Sequence, residues 1–180
     1  MGNYIQIRDI SKKFYGVYAL KNVSFDIARG SVHAVMGENG AGKSTLMKIL
    51  GGVYQADGGS IIIDGKERNI RSVQDSAGCG ISVIYQEFNL VPELTVAENI
   101  FISDVPKKTF LGIVEKKKRS DNARKILDML EIHVDPDEFV KNLSVSEKQM
   151  VEIAKALSLN AEIIIMDEPT AALNEEEVRR

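Results

Sequence analysis

Between Gly37 and Thr45 the chain reads Gly-Glu-Asn-Gly-Ala-Gly-Lys-Ser-Thr, and each residue type in that run suits the holding of a polyphosphate. Gly37, Gly40 and Gly42 let the backbone curl until consecutive N–H groups converge on one anion, with Glu38, Asn39 and Ala41 supplying main chain between them. Lys43 can reach the terminal phosphates as a point charge, and the Ser44 hydroxyl is placed to ligate Mg²⁺. A helix opening at Lys43 adds its positive end to the same site, with Thr45 in its first turn. The spacing is that of a nucleotide-binding phosphate loop, so ATP and Mg²⁺ are the expected ligands.

A loop of this kind needs a second acidic site for its metal. Ile163 to Met166 is a short apolar run directly before Asp167-Glu168-Pro169, which reads as a buried strand delivering two carboxylates at its C-terminal end. Asp167 is the candidate metal ligand beside Ser44. Glu168 is the candidate catalytic base, orienting or deprotonating an attacking water for a gain of about 10²- to 10⁴-fold. Gln86 follows another strand-like run and offers a neutral amide that could bridge metal or water. Lys43 completes the catalytic candidates.

These residues need elements to position them. Ile5 and Ile7, then Val23, Phe25 and Ile27, alternate with polar residues as in two half-buried antiparallel strands. Lys12 to Gly16 between them is expected to be a loop exposing Phe14 and Tyr15. Val32 to Met36 reads as a buried strand entering the phosphate loop, and Lys43 to Leu50 as a helix. Asp57 to Ser60 is a turn signal, Ile61 to Ile63 a strand that ends in the Asp64-Gly65 turn, and Ile81 to Tyr85 a further strand. From about 92 to 159 the spacing becomes helical, with Thr95 and Glu98 set as a capping box. Ala123, Ile126, Leu127 and Leu130 share one helical face, and Met150, Ile153, Ala154 and Leu157 another.

Composition narrows the class. With 180 residues, 44% apolar and 27% charged, the chain resembles an ordinary globular protein that can bury a core. The single cysteine, Cys79, excludes an internal disulfide framework and reads as a small buried side chain. A net charge of -3 gives no reason to expect nucleic acid as a partner. Lys116 to Arg119 reads as the solvated start of a helix. No apolar run approaches the roughly 18 residues that span a bilayer, and no secretory pattern opens the chain, so the cytoplasmic side is expected. Asn174 and the acids after it would begin a helix too short to bury a face, which suggests a piece of a longer protein.

Taken in order, Gly37 to Thr45, Gln86, Leu143-Ser144-Val145-Ser146-Glu147 and Ile163 to Pro169 resemble the ATP-binding cassette ATPases over essentially the whole chain. Met36 to Gly40, Tyr85 to Leu90 and Val151 to Ala156 look most like bacterial monosaccharide importers of the ribose, galactose and xylose type, and like their N-terminal cassette. The resemblance implies an α/β fold. A P-loop NTPase core would carry an antiparallel β subdomain and an inserted α-helical subdomain at about 92–159, the whole of 1–180 being one partial nucleotide-binding domain without its C-terminal strands. It also implies that Phe14 stacks on adenine, with Tyr15 as runner-up, and that Leu173-Asn174 is a D-loop. Ser144, Val145, Ser146 and Glu147 would face the terminal phosphate of a second cassette, although the usual signature is Leu-Ser-Gly-Gly-Gln and valine and serine here add bulk. The implied partners are membrane permease subunits, that second cassette and, indirectly, an extracytoplasmic sugar-binding protein. Their place is the cytoplasmic face of the membrane. The family's switch histidine would fall past residue 180, and His33 and His133 do not substitute for it, so poor hydrolysis by this segment alone is expected. The other readings are a non-catalytic nucleotide-binding module and a soluble cassette protein outside transport.

Overall fold

The computed structural model describes residues 3–85, 87–103, 116–159 and 161–167, and the chain divides into two units, residues 1–82 and 83–180. In the first, β1 (Asn3–Phe14) and β2 (Val17–Ala28) form the expected antiparallel pair. Their apolar residues set the register: Ile5 faces Ile27, Ile7 faces Phe25 and Ile10 faces Val23. β3 (Gly58–Ile63) pairs with the other edge of β1, and β4 (Lys66–Arg68) with β3, giving the sheet order β2-β1-β3-β4. Ile5, Ile7, Ile61 and Ile63 are buried on it. Helix α1 (Lys43–Leu50) adds Leu46, Ile49 and Leu50 to the buried set, and α2 (Val73–Gly78) is tied to its end where the Ser76 hydroxyl donates to Leu50 O at 2.8 Å.

Three local expectations need correction here. Lys12 to Phe14 continue β1 instead of forming a loop, and the hairpin closes on Tyr15 and Gly16 alone, with φ +49° and +85°. Two consecutive residues with positive φ give the turn whose twist matches the strands it joins. Gly58 to Ser60 are strand as well, because Gly59 at φ +92° lies where a Cβ would stand 2.4 Å from Arg8 O. Only a glycine lets β3 run that close to β1. Val32 to Met36 belong to no strand among the described residues, and Val32 and Met36 are exposed. An apolar run becomes a strand only where a ladder partner takes its N–H and C=O groups.

The second unit begins within β5 (Ile81–Ile84), which forms a two-stranded sheet with β6 (Ile163–Met166). Helices α3 (Val96–Ile100), α4 (Lys116–Met129) and α5 (Val145–Ser158) pack around Val96, Ile100, Leu127, Val140 and Val151, all nearly inaccessible to solvent. The stripe expected on α4 is present: Ala123 and Leu127 are buried, and Ile126 and Leu130 lie against the same cluster. Asn99 is fully buried, its Oδ1 accepting Val91 N–H at 2.7 Å and its Nδ2 donating to Val91 O at 3.0 Å and Thr95 O at 3.0 Å. One side chain therefore pins the loop that precedes α3. Cys79 is free and half-buried at the end of α2, more open than expected.

Asp57 ties the end of β1 to the strand beside it. Lys12 Nζ donates to its carboxylate at 2.8 Å and Lys13 N–H at 2.7 Å, and these bonds, the lysine's first, hold the carboxyl below its ordinary range. A carboxyl depressed in the folded state contributes stability above the unfolded carboxylate pKa and loses it as pH falls through its folded value. Asp57→Asn should therefore lower the melting temperature at neutral pH, and the gap from the parent should close on acidification. Melts recorded by circular dichroism across the acid range check this.

Candidate functional site

The phosphate loop owes its shape to the packing of α1 on β2. Gly42 is the residue before α1 and takes φ +91°. A Cβ there would meet Ala19 O at 2.4 Å and the Leu20 Cδ2 at 2.8 Å. Glycine is thus demanded twice, by the left-handed backbone and by the neighbouring strand. No side chain caps the helix, no acid sits in its first turn, and the first intrahelical bond runs from Leu46 N–H to Gly42 O at 3.0 Å. An uncapped N-terminus without a nearby carboxylate favours an anion by both its N–H groups and its dipole.

Upstream of Gly42 the loop turns on itself. Ala41 N–H donates to Glu38 O at 3.1 Å, and Gly40 takes φ +83°. Lys43 folds back across this turn, its Nζ donating to Gly37 O at 2.7 Å and Glu38 O at 3.0 Å. Two of its three donors brace the loop, which leaves the third for an oxygen of a ligand. Gly37 to Ala41 and Ser44 are exposed, while Gly42, Lys43 and Thr45 are half-buried. These residues fit a polyphosphate: an open backbone cradle, a fixed cation and a hydroxyl at the helix start.

Asp167 stands just past β6, half-buried, and its N–H donates to Ile84 O at 3.0 Å. The C-terminal ends of β5 and β6 therefore lie side by side. Burial pushes the Tyr85 phenol up, so that ring stays neutral at the end of β5. Gln86 and Glu168, the two remaining catalytic candidates, lie outside the described residues, as does the segment with Leu173 and Asn174.

At the other candidate segment, Ser144 opens α5 with a reciprocal cap. Its Oγ accepts Glu147 N–H at 3.2 Å, and Glu147 Oε2 accepts Ser144 N–H at 2.7 Å. Ser146 places its Oγ 3.3 Å from that of Ser144, and Val145 is exposed. The four residues thus present one turn of helix whose outer face is a valine and two hydroxyls.

The two rings expected in one loop part company. Phe14 is half-buried and meets Tyr54 edge-on, with centroids 5.2 Å apart, whereas Tyr15 is wholly exposed at the hairpin tip. Sequence reasoning also passed over a polar clasp on α5. Glu152, 6% exposed, accepts Asn89 N–H at 2.6 Å, and Lys155 Nζ donates to Asn89 O at 2.7 Å. Both main-chain groups of a residue three positions beyond Gln86 are so held by one helix. The signal was a carboxylate and an amine three apart within an otherwise apolar face.

Three substitutions test this geometry. Gly42→Ala should cost about 1–3 kcal/mol through backbone strain and weaken the binding of a fluorescent ATP analogue, while Gly58→Ala, whose Cβ meets nothing within 4 Å, should stay within about 0.5 kcal/mol of the parent. Glu152→Ala should lose about 1.5–3 kcal/mol, the worth of a hydrogen bond to a charged group. Urea unfolding reads the stability of all three.

Comparison with known proteins places the chain among relatives of known family. The ribose import ATP-binding protein of Streptomyces avermitilis is 52% identical over 176 residues, covering 98% of this chain and 33% of that protein. The ribose import ATP-binding protein of Caldanaerobacter subterraneus is 55% identical over 98% of this chain and 35% of its own length. The chain thus spans about a third of the length of these curated relatives. Among solved structures, an ATP-binding cassette of an ABC transporter in its ADP conformation superimposes with a TM-score of 0.84 at 29% identity, over 99% of this chain and 74% of that one. A dimeric cassette in a post-hydrolysis state with ADP and Pi gives 0.79 at 29% identity, over 97% and 78%. With the ABC transporter family model matched from residue 20 to 171, across the phosphate loop, the capped turn at Ser144 and the strand that ends just before Asp167, the chain belongs to the ABC transporter family.

Proposed function

We propose that this chain is the ATP-binding, ATP-hydrolysing part of a bacterial sugar importer. The observation that carries the reading is the joint one: about half its residues match ribose import ATP-binding proteins along nearly its whole length, and its loop is built for phosphates. Residues 1–180 then form one partial nucleotide-binding domain with a helical subdomain at about 92–159. Ribose or a related monosaccharide is the cargo class.

Within that reading Lys43 holds the terminal phosphates, and Gly37 to Thr45 cradle the chain of oxygens. Phe14 is the base-stacking candidate, with Tyr15 the better exposed ring. Ser44, Asp167 and Gln86 would hold Mg²⁺, which would supply charge neutralisation on the phosphates. Glu168 takes a proton from the attacking water, and the capped turn Ser144 to Glu147 closes on the phosphate held by a second cassette. That closure gives ATP a higher affinity for the joined pair, which is the source of work on the membrane permease. The cassette sits at the cytoplasmic face of the membrane. Among the described residues no helix is long and apolar enough to cross it.

The test uses the chain joined to its continuation and permease. Glu168→Gln should keep ATP affinity and lower turnover by about 10²- to 10⁴-fold, whereas Lys43→Ala should lose affinity itself. Equilibrium binding and phosphate release measured in parallel separate the two. Tight binding without turnover in the parent would reduce the protein to a nucleotide-binding module, and a full rate in Glu168→Gln would remove Glu168 from the chemistry.

A further inference from the structure

Away from the phosphate loop, the first unit has a cleft of about 450 Å³ between β3, β4 and the stretch that follows α1. Its polar lining comes from Gln55, Ser60, Glu67, Arg68, Asn69 and Arg71, and its floor includes Ile49 at the edge of the buried core. A volume of this size admits a small metabolite. Donors outnumber acceptors in it, and two guanidinium groups stand against one carboxylate.

Neither guanidinium is held in a salt bridge among the described residues. Arg68 Nε is buried without a hydrogen-bond partner, and no carboxylate lies within ion-pair distance of Arg68 or Arg71 among the described residues. A buried, unsatisfied donor on a charged group is costly and is retained where something answers it. Arg71 is instead aimed: its Nε donates to Asn69 Oδ1 at 3.1 Å, and its main-chain N–H donates to Asp75 Oδ2 at 3.0 Å. Asp75 is already engaged, since the Ser72 hydroxyl donates to the same oxygen at 2.9 Å, and these bonds hold its carboxyl below the usual range. The guanidinium edge left open is the fork that grips two oxygens of one group.

The geometry points to a second, non-nucleotide site in this cleft, which takes a small phosphate monoester with Arg68 and Arg71 on the phosphate and Gln55 and Ser60 on the hydroxyls of the remainder. It shares no residue with the phosphate loop. The site does not depend on the transport reading.

Glycerol 3-phosphate titrated into the ¹⁵N-labelled chain provides the test, followed by amide chemical shifts, with glycerol and sulfate as parallel titrants. Saturable shifts at Ser60, Asn69 and Arg71 are expected, persisting in Lys43→Ala and weakened at least tenfold in Arg68→Met and in Arg71→Gln. Glycerol should leave these amides unmoved. Arg71→Gln alters an exposed side chain and keeps the test valid where Arg68→Met fails to fold. Equal binding of sulfate would overturn the monoester in favour of an unselective anion site. Shifts confined to residues 37–45 and lost in Lys43→Ala, or no saturable shift at all, would overturn the site.

Discussion

The close approach of residue 42 to β2 is the constraint on which the phosphate site rests. Ala19 O and Leu20 Cδ2 occupy the space a side chain would need there, and Leu20 is itself buried in the sheet unit. The helix can start against the strand only through a glycine with left-handed backbone. A glycine carries no oxygen with which to cap the helix, so the same packing that fixes where α1 begins also leaves its first turn open. Lys43, as the first helical residue, is then within reach of the loop's own carbonyls. The anion site is a by-product of how tightly a helix and a strand pack.

Helices α3 and α5 show the contrary arrangement. Thr95 and Ser144 cap them by side-chain oxygen, and Glu98 and Glu147 return the bond to the cap residue's N–H. Each box satisfies two donors that α1 leaves without a side-chain acceptor. The difference tracks the residue at the cap: against β2 it is glycine, and at the starts of α3 and α5 it is a residue with a hydroxyl. A helix whose first turn is satisfied by its own side chains has little left there for a ligand, while one whose first turn is open has affinity to offer.

The cap of α3 was legible in the sequence, because a capping box is a local pattern whose members sit three residues apart. So were the paired strands, since alternation in β1 and β2 is a property of each segment. What the sequence did not disclose was longer in range. Val32 to Met36 has the apolar content of a strand, but a strand is made by a neighbour, and none pairs with it among the described residues. Gly58 to Ser60 look like a turn until the nearness of Arg8 O explains the glycine. Phe14 and Tyr15 are adjacent and equivalent on paper. Tyr54, some forty residues on, takes one ring and leaves the other in solvent.

The clasp on Asn89 is the clearest case of such a hidden partner. Glu152 and Lys155 sit on a helix whose neighbouring residues Val151, Ala154 and Ala156 are buried, so a pattern of apolar spacing treats them as interruptions. Their bonds run instead to a backbone more than sixty residues earlier, one to its N–H and one to its C=O. Asn99 does the same for the loop before α3, with both ends of its amide engaged by main chain. A loop has no ladder to hold it, and its peptide groups must be answered by side chains if they are to be buried. Polar residues buried in apolar faces are therefore the means by which this unit fixes its irregular segments. The stretch leading away from Gln86 is held in that way by the helix that Ser144 caps, so one helix carries both the capped turn and the two groups that hold Asn89.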